Sequence, residues 1–446
     1  MKSKIFVFVG LLVVLSMLLS SCASPTPTQV PAPAPTDAPV AATQAPAPTT
    51  VPTTAPTDVP TAAPVTIRYW HTMSDPETAQ FQKVIDGFQA ANPGITVEAT
   101  RYAYSDFKTA LTTAIAGGDV PDTARMDIVW VSEFASQGAL LQLDGALPDF
   151  DKIAASVFPG PLATNKFDGH YYGLPQDTNT QVLLYNKDLF DKAGITAPPA
   201  TMEEFAADAC KLSDKAKKTY GYAEGGTYFW APAPVFYAMG GKVVDENITT
   251  ATGYVNGPES VAAFTMLKDL YDKGCLSPNL LGGGIATDAG HATGIYSMII
   301  DGPWMVDIYK GNYPDFKVNF APIPAGKNGT SSVVGGEDVV VMDGSKNKEA
   351  AGKWVSYLMG IDAQKIMAAV GVMPTIASLT GDPAMPAHFA VFMDQLKTAQ
   401  ARVPSPKWSD MDNAISNAYQ RILKGDQSVQ AALDQAADEI NALLKK

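Results

Sequence analysis

The sequence predicts an α/β fold, with helices laid over largely parallel sheets. Three observations carry this. Val65–Trp70 alternates and is rich in β-forming residues, so it reads as a strand. Phe81, Val84, Ile85 and Phe88 then fall at i, i+3, i+4 and i+7, the apolar face of a helix. Ile95–Ala99 follows as a second strand, and strand, helix, strand within about 35 residues is the unit that builds a parallel sheet.

The remaining elements obey the same grammar. Ser74 or Asp75 caps the first helix, Pro76 suits its first turn, and Asn92-Pro93-Gly94 stops it. Helical faces recur at Phe107/Leu111/Ile115 and at Val261/Phe264/Leu267/Tyr271, the latter after Pro258. Thr201 and Glu204 form a capping-box pattern before Phe205 and Leu212. Val339–Met342 reads as a buried strand, with a helix from about Asn347 to Met359 on which Trp354 belongs to the core. Val429, Leu433, Ala436, Ile440 and Leu443 make a last stripe, and no internal repeat is visible.

The first 64 residues have a different character. Lys2 and Lys4 precede an uncharged apolar run, Ile5–Leu19, then Ser20-Ser21-Cys22. A charged start, a short apolar stretch and small residues before a cleavage point make an export signal. At about 15 residues the run falls short of the roughly 20 that a spanning helix needs. Leu-Ser-Ser-Cys resembles the lipobox of bacterial lipoproteins, which implies residues 1–21 as signal peptide and a lipidated Cys22 anchoring the protein to the outer face of the membrane. From Ala23 to Pro64 the chain is almost entirely Pro, Thr, Ala, Val, Ser and Gln, with only Asp37 and Asp58 charged. Such a segment cannot bury enough apolar surface to offset its ordering entropy, so residues 22–64 are expected to form a disordered stalk. In extended polyproline form it would reach on the order of 130 Å.

Composition excludes several function classes. Lys and Arg number 32 against 45 Asp and Glu, a net charge of −13, with no basic cluster, which argues against nucleic acid as a partner. His71, His170, His291 and His388 are scattered with no metal-binding spacing, so neither a metal nor another cofactor is expected. Cys210 and Cys275 are left to form a disulfide in an exported protein, or to remain two separately buried thiols. About 382 residues remain after the stalk, enough for two domains.

A run of motifs then carries a resemblance. In order they are Gly118–Asp122 leading to Asp127, Gly138-Ala-Leu, Leu143-Asp144, Asp168–Pro175, Leu184–Phe190 with Ala193-Gly194, and Pro199–Phe205. Asp301–Trp304, Pro322-Ile-Pro324, Gly335-Gly336, Ser345–Ala351 and Gly371–Pro374 complete the series. Together they resemble the extracellular solute-binding proteins of family 1, the sugar-binding lipoproteins of ABC importers, similar to maltose-binding-type proteins. The resemblance implies a two-lobe periplasmic-binding-protein fold of type II, parallel-rich sheets flanked by helices, with a cleft between the lobes. It places lobe one at 65–176 and 310–372 and lobe two at 177–309 and 373–446. It also implies a monomeric carrier whose partners are a carbohydrate and the permease subunits, and no catalysis.

A sugar presents hydroxyls that need hydrogen bonds and C–H faces that aromatic rings cover. Trp304, in the turn Asp301-Gly-Pro-Trp, and Trp230, in Tyr228-Phe-Trp, match stacking positions of the family. Trp70 and His71 end the first strand, with packing at the hinge as the alternative. Trp130 lines the cleft or belongs to the core, and Trp408 after Pro404-Ser-Pro406 forms the cleft floor or simply packs. Among polar groups Asp127 lies at a strand end, with Glu133 a turn or two beyond or on a surface helix. Asp177 and Asn179 follow the crossover, where hinge hydrogen bonding is their alternative. Glu337 stands beside Gly335-Gly336, whose missing side chains admit close approach. A cleft with Asp127, Asp177, Glu337 and Trp304 would also suit an amine; glycerol phosphate and peptide are further alternatives. A secreted glycosidase would need a marked pair of carboxylates at a set separation, and none is evident.

Overall fold

The computed structural model describes residues 64–445. The export segment, Cys22 and the stalk up to residue 63 lie outside the described residues. Val65–His71 (β1) and Ile95–Arg101 (β2) pair in parallel, Val65 opposite Ile95, across the helix Asp75–Ala91. That helix buries the four predicted residues, Phe81, Val84, Ile85 and Phe88. Its N-terminus is a capping box between Ser74 and Glu77. Thr123–Asp127 (β3) joins β1 in parallel on its other side.

A short hairpin, Lys166–Phe167 (β4) with His170–Tyr171 (β5), precedes Gly173–Thr180 (β6). Val182–Tyr185 (β7), Tyr220–Ala223 (β8), Tyr296–Asp301 (β9) and Asn319–Ala321 (β10) form a second sheet in the order β10-β7-β9-β8. Val334–Val341 (β11) then returns to the first sheet, whose order is β2-β1-β3-β11-β6. It runs antiparallel to both neighbours. In the second sheet only β8–β9 is parallel, so that sheet is mixed rather than parallel-rich. The chain enters it directly from β6 with no helical crossover, and a direct entry gives no parallel partner.

Each sheet has its own core. Trp354 is fully buried against Tyr69, Phe81 and Phe88 beside the first sheet. The C-terminal helices Trp408–Lys424 and Val429–Leu444 share a core with Leu183, Phe205 and Phe264 of the second lobe. Cys210 and Cys275 are joined as a disulfide there. Helix Met305–Asn312 and β10 also side with the second lobe, although residues 310–321 were expected in the first. Asn319–Ala321 is too short to announce itself as a strand, and only its pairing with β7 assigns it.

The lobes are joined where three chain segments run side by side. Thr180 Oγ1 donates to Val333 O (2.8 Å), Ser332 Oγ donates to Gln181 O (2.8 Å), and Gln400 N donates to Ser332 O (2.7 Å). The first crossing thus falls at Thr180–Gln181 and the return at Ser332–Val333, later in each case than the resemblance implies. Beyond it, Met373 still bridges to Thr178 and Ile376 to Val157, so the last departure follows residue 376.

One core group of the second lobe titrates unusually. Glu224 is 2% exposed and accepts from Tyr222 Oη (3.1 Å) and Tyr419 Oη (2.9 Å). Burial raises its carboxyl from the usual 4.5 to about 7, the two tyrosine hydrogen bonds opposing the rise. The folded protein holds that proton more tightly than the unfolded chain. The resulting stabilisation is complete below pH 4.5 and disappears as pH climbs to 7. It is worth about 3 kcal/mol. Chemical denaturation between pH 4.5 and 8 should show this decline, and Glu224→Gln should flatten it; an unchanged slope in the variant would rule out Glu224 as its source.

Candidate ligand-binding cleft

The strand ends decide what reaches the space between the sheets. A cleft of about 660 Å³ lies there, lined from the first lobe by Thr72, Tyr104, Arg125, Asp127 and Trp130, and from β6 and β11 by Asp177, Asn179, Gly335, Gly336 and Glu337. The second lobe adds Tyr228, Trp230, Trp304, Trp408, Asp412 and Asn413, and the connecting segment adds Arg402. Its size suits a small organic ligand.

The floor is a buried charge cluster built across three strands. Arg125 on β3 donates from Nε to Asp177 Oδ2 on β6 (2.8 Å) and from Nη2 to Glu337 Oε2 on β11 (2.9 Å). Its third contact is Thr72 Oγ1 at 3.2 Å. The Arg125 side chain is 6% exposed, as is that of Asp177, and Glu337 is 20% exposed. Burial pushes the Glu337 carboxyl well above its usual range; Arg125 opposes this and the adjacent Asp177 adds to it. The cluster thus sets one guanidinium against two carboxyl groups.

A second pair spans the lobes. Arg402 Nη2 lies 3.3 Å from Asp127 Oδ1, and the guanidinium stands 5.2 Å over the Trp230 ring. Asp127 Oδ1 also accepts Val129 N–H (2.9 Å) and its Oδ2 accepts the Tyr104 hydroxyl (2.7 Å). Asp127 thus lines the cleft but has its oxygens committed to protein donors. Both arginines of the lining are held by carboxylates, so among the described residues no free cation lines the cleft.

The rings are placed by glycines. Gly302 makes room for Trp304, since a Cβ there would meet the indole at 2.1 Å. Gly335 does the same for Trp230 and for Asn179, whose Oδ1 would sit 2.1 Å from an added Cβ. Trp230 and Trp304 lie side by side, 6.3 Å between centroids and tilted by 32°. Among the described residues the buried Asn179 Oδ1 has no hydrogen-bond partner.

The cleft brings together Asp127, Trp130, Asp177, Asn179, Trp230, Trp304, Gly336 and Glu337 of the sequence-derived set. Trp70, His71 and Glu133 are absent from its lining. Alternation along β1 turns Trp70 onto Tyr102 (4.5 Å) on one face. His71 turns into the other face beside Phe81, 1% exposed, where its Nδ1 accepts Met73 N–H and burial lowers it to about 4. Thr72, the next residue, is the one that lines the cleft. Glu133 pairs with Lys108 at 2.7 Å on the adjoining helices. The sequence reading missed Arg125, Arg402, Tyr104, Tyr228 and Asp412. Tyr104 had a signal, lying three residues before Phe107 on the same helical stripe; nothing in the sequence marked the arginines.

Removing one member of the floor cluster should cost far more than removing its charge altogether. Arg125→Met strands two buried carboxyls and should destabilise the protein by about 3–5 kcal/mol. Adding Asp177→Asn and Glu337→Gln should restore most of that loss in urea denaturation. A triple variant no better than the single one would mean that the charges are not the cause.

Relatives and solved structures share this architecture. A protein of Brucella abortus (strain 2308), described only as a binding protein, is 30% identical over 382 residues, 82% of this chain and 90% of its own. The maltotriose-binding protein of Pyrococcus abyssi is 26% identical over 393 residues, 84% of this chain and 80% of its own. The structure of the cyclic alpha-maltosyl-1,6-maltose binding protein from Arthrobacter globiformis superposes with a TM-score of 0.76 at 26% identity, covering 86% of this chain and all of that one. The family model for bacterial extracellular solute-binding proteins matches residues 74–365, and the chain belongs to that family.

Proposed function

We propose that the protein captures a neutral saccharide between its lobes and delivers it to the permease of an ABC importer. Members of this family work outside the cytoplasm and bind their solute rather than transform it. The observation that carries the saccharide reading is the pairing of indoles with acceptors in one cleft. Trp230 and Trp304 offer flat apolar faces, while Asn179, Asp412 and Asn413 bring polar groups to hydroxyls. The arginines favour a neutral guest, because each is already balanced and a phosphate or carboxylate would have to displace a buried partner. Names of relatives, maltotriose-binding and galactooligosaccharide-binding among them, point the same way.

The mechanism is closure about the three-stranded connection. A guest that touches rings of the second lobe and acceptors of the first stabilises the closed arrangement by contacts that the open one lacks. The closed head then presents both lobes to the permease. It acts as a monomer, held to the membrane through a lipidated Cys22 and the Pro/Thr/Ala-rich stalk. Leu19–Cys22 and the short apolar run before it support that anchor.

Thermal-shift measurement with neutral mono- and oligosaccharides should find stabilising ligands. Trp304→Ala should weaken the best of them at least about tenfold, or 1.4 kcal/mol, while the unliganded melting temperature changes little. Equal affinity in the variant would remove Trp304 from the site. Separately, cells fed labelled fatty acid should label the protein, and Cys22→Ala should abolish that label and release the protein from the membrane. A labelled Cys22→Ala protein would refute the anchor.

A further inference from the structure

Three chain segments cross between the lobes, and Trp230 touches all of them. Gln181 of the first crossing donates from Nε2 to the Trp230 carbonyl at 2.6 Å. Gly335, two residues past the return crossing at Val333, lies against the Trp230 ring, where an added Cβ would meet the indole at 2.5 Å. Arg402, two residues past Gln400, stands 5.2 Å over the same ring. Trp304 is placed differently, in space cleared by Gly302 of its own turn.

The contact with Gln181 has its origin in the sequence. Trp230 lies just before the helix Ala233–Ala238, and Ala233 N–H already bonds the Phe229 carbonyl at 2.9 Å. The next rung of that ladder would run to the Trp230 carbonyl from residue 234, which is proline and has no N–H to give. An orphaned carbonyl needs a donor from elsewhere. Gln181, itself 1% exposed, supplies it, while its own carbonyl accepts Ser332 Oγ of the return crossing at 2.8 Å. One buried residue thus joins two crossings to the loop that carries the ring. A further anchor of that loop, Phe229 N–H to Asp412 Oδ1 at 2.7 Å, lies within the second lobe and by itself would leave Trp230 indifferent to the hinge.

Resting on the saccharide reading above, we infer that Gln181 is a positioning residue, which ties Trp230 to the hinge so that the ring reaches its stacking place only as the lobes close. A guest that rests on Trp230 then holds the hinge through Gln181, and loss of the tie shortens the life of the closed complex.

The test is calorimetric and stopped-flow titration of the full-length protein with maltotriose, maltotetraose and galactotriose. Gln181→Met keeps an unbranched side chain of similar length and removes the donor. It is expected to weaken the best-bound probe at least about tenfold, almost all of it as faster dissociation, with association within about threefold of wild type. In the Trp230→Ala background the same substitution should change affinity by no more than about twofold, because both act through one ring. Should Gln181→Met fail to fold, Gln181→Asn, whose amide stops one methylene short of the Trp230 carbonyl, should show the same loss and the same dependence on Trp230. A lowered melting temperature with unchanged affinity, or losses that multiply in the double variant, would overturn the inference and leave the saccharide reading standing. A wild-type protein that binds none of the three probes would overturn both.

Discussion

The structure depends on the insertion of β11 between β3 and β6. That strand belongs to the first sheet yet arrives from the second lobe, so the chain has to cross between the lobes before and after it. The same insertion carries Gly335, Gly336 and Glu337 to the middle of the cleft. Gly336 adopts a φ of 127°, and a Cβ there would run into the Asp177 carbonyl, so the strand can enter only with glycine at that point. Hinge, cleft floor and central acceptors follow from one placement.

Charge in a buried floor is tolerated only when balanced. Here Arg125 reaches across β11 to Asp177, and the wide spacing of the three strands is closed by a single guanidinium fork. The arrangement ties β3, β11 and β6 together at the ends where a ligand arrives. It also explains why an acidic protein has a cleft suited to a neutral guest: its carboxylates are occupied in holding its arginines.

The cleft walls divide the work differently. Rings on the second lobe are placed by glycines that clear space for them, whereas Tyr104 on the first lobe is placed by stacking and by Asp127. Both devices fix the aromatic faces before any ligand arrives, so less ordering has to be met from the binding energy. The Asp127–Arg402 pair, with Arg402 lying over the Trp230 ring, links the two walls.

Local pattern was enough for the α/β class, the main helices and the burial of Phe81 and Trp354, because amphipathic period and caps are properties of neighbouring residues. The ordered motifs were enough for the family, and they pointed to Trp230, Trp304, Asn179 and Glu337, which line the cleft. Trp70 and His71 lie outside the cleft lining because tertiary packing sets what the two faces of β1 meet, Tyr102 on one and Phe81 on the other. The partnership of Arg125 with Asp177 and Glu337, the closure of Asp127 by Tyr104 and Arg402, and the membership of β10 were beyond reach of the sequence. Arg125 and Glu337 stand 212 positions apart, and Asp127 and Arg402 stand 275 apart. Sequence alone determined the fold class and the family. Which charges meet, and hence which groups stay free for a ligand, was decided only when β11 brought distant strands side by side.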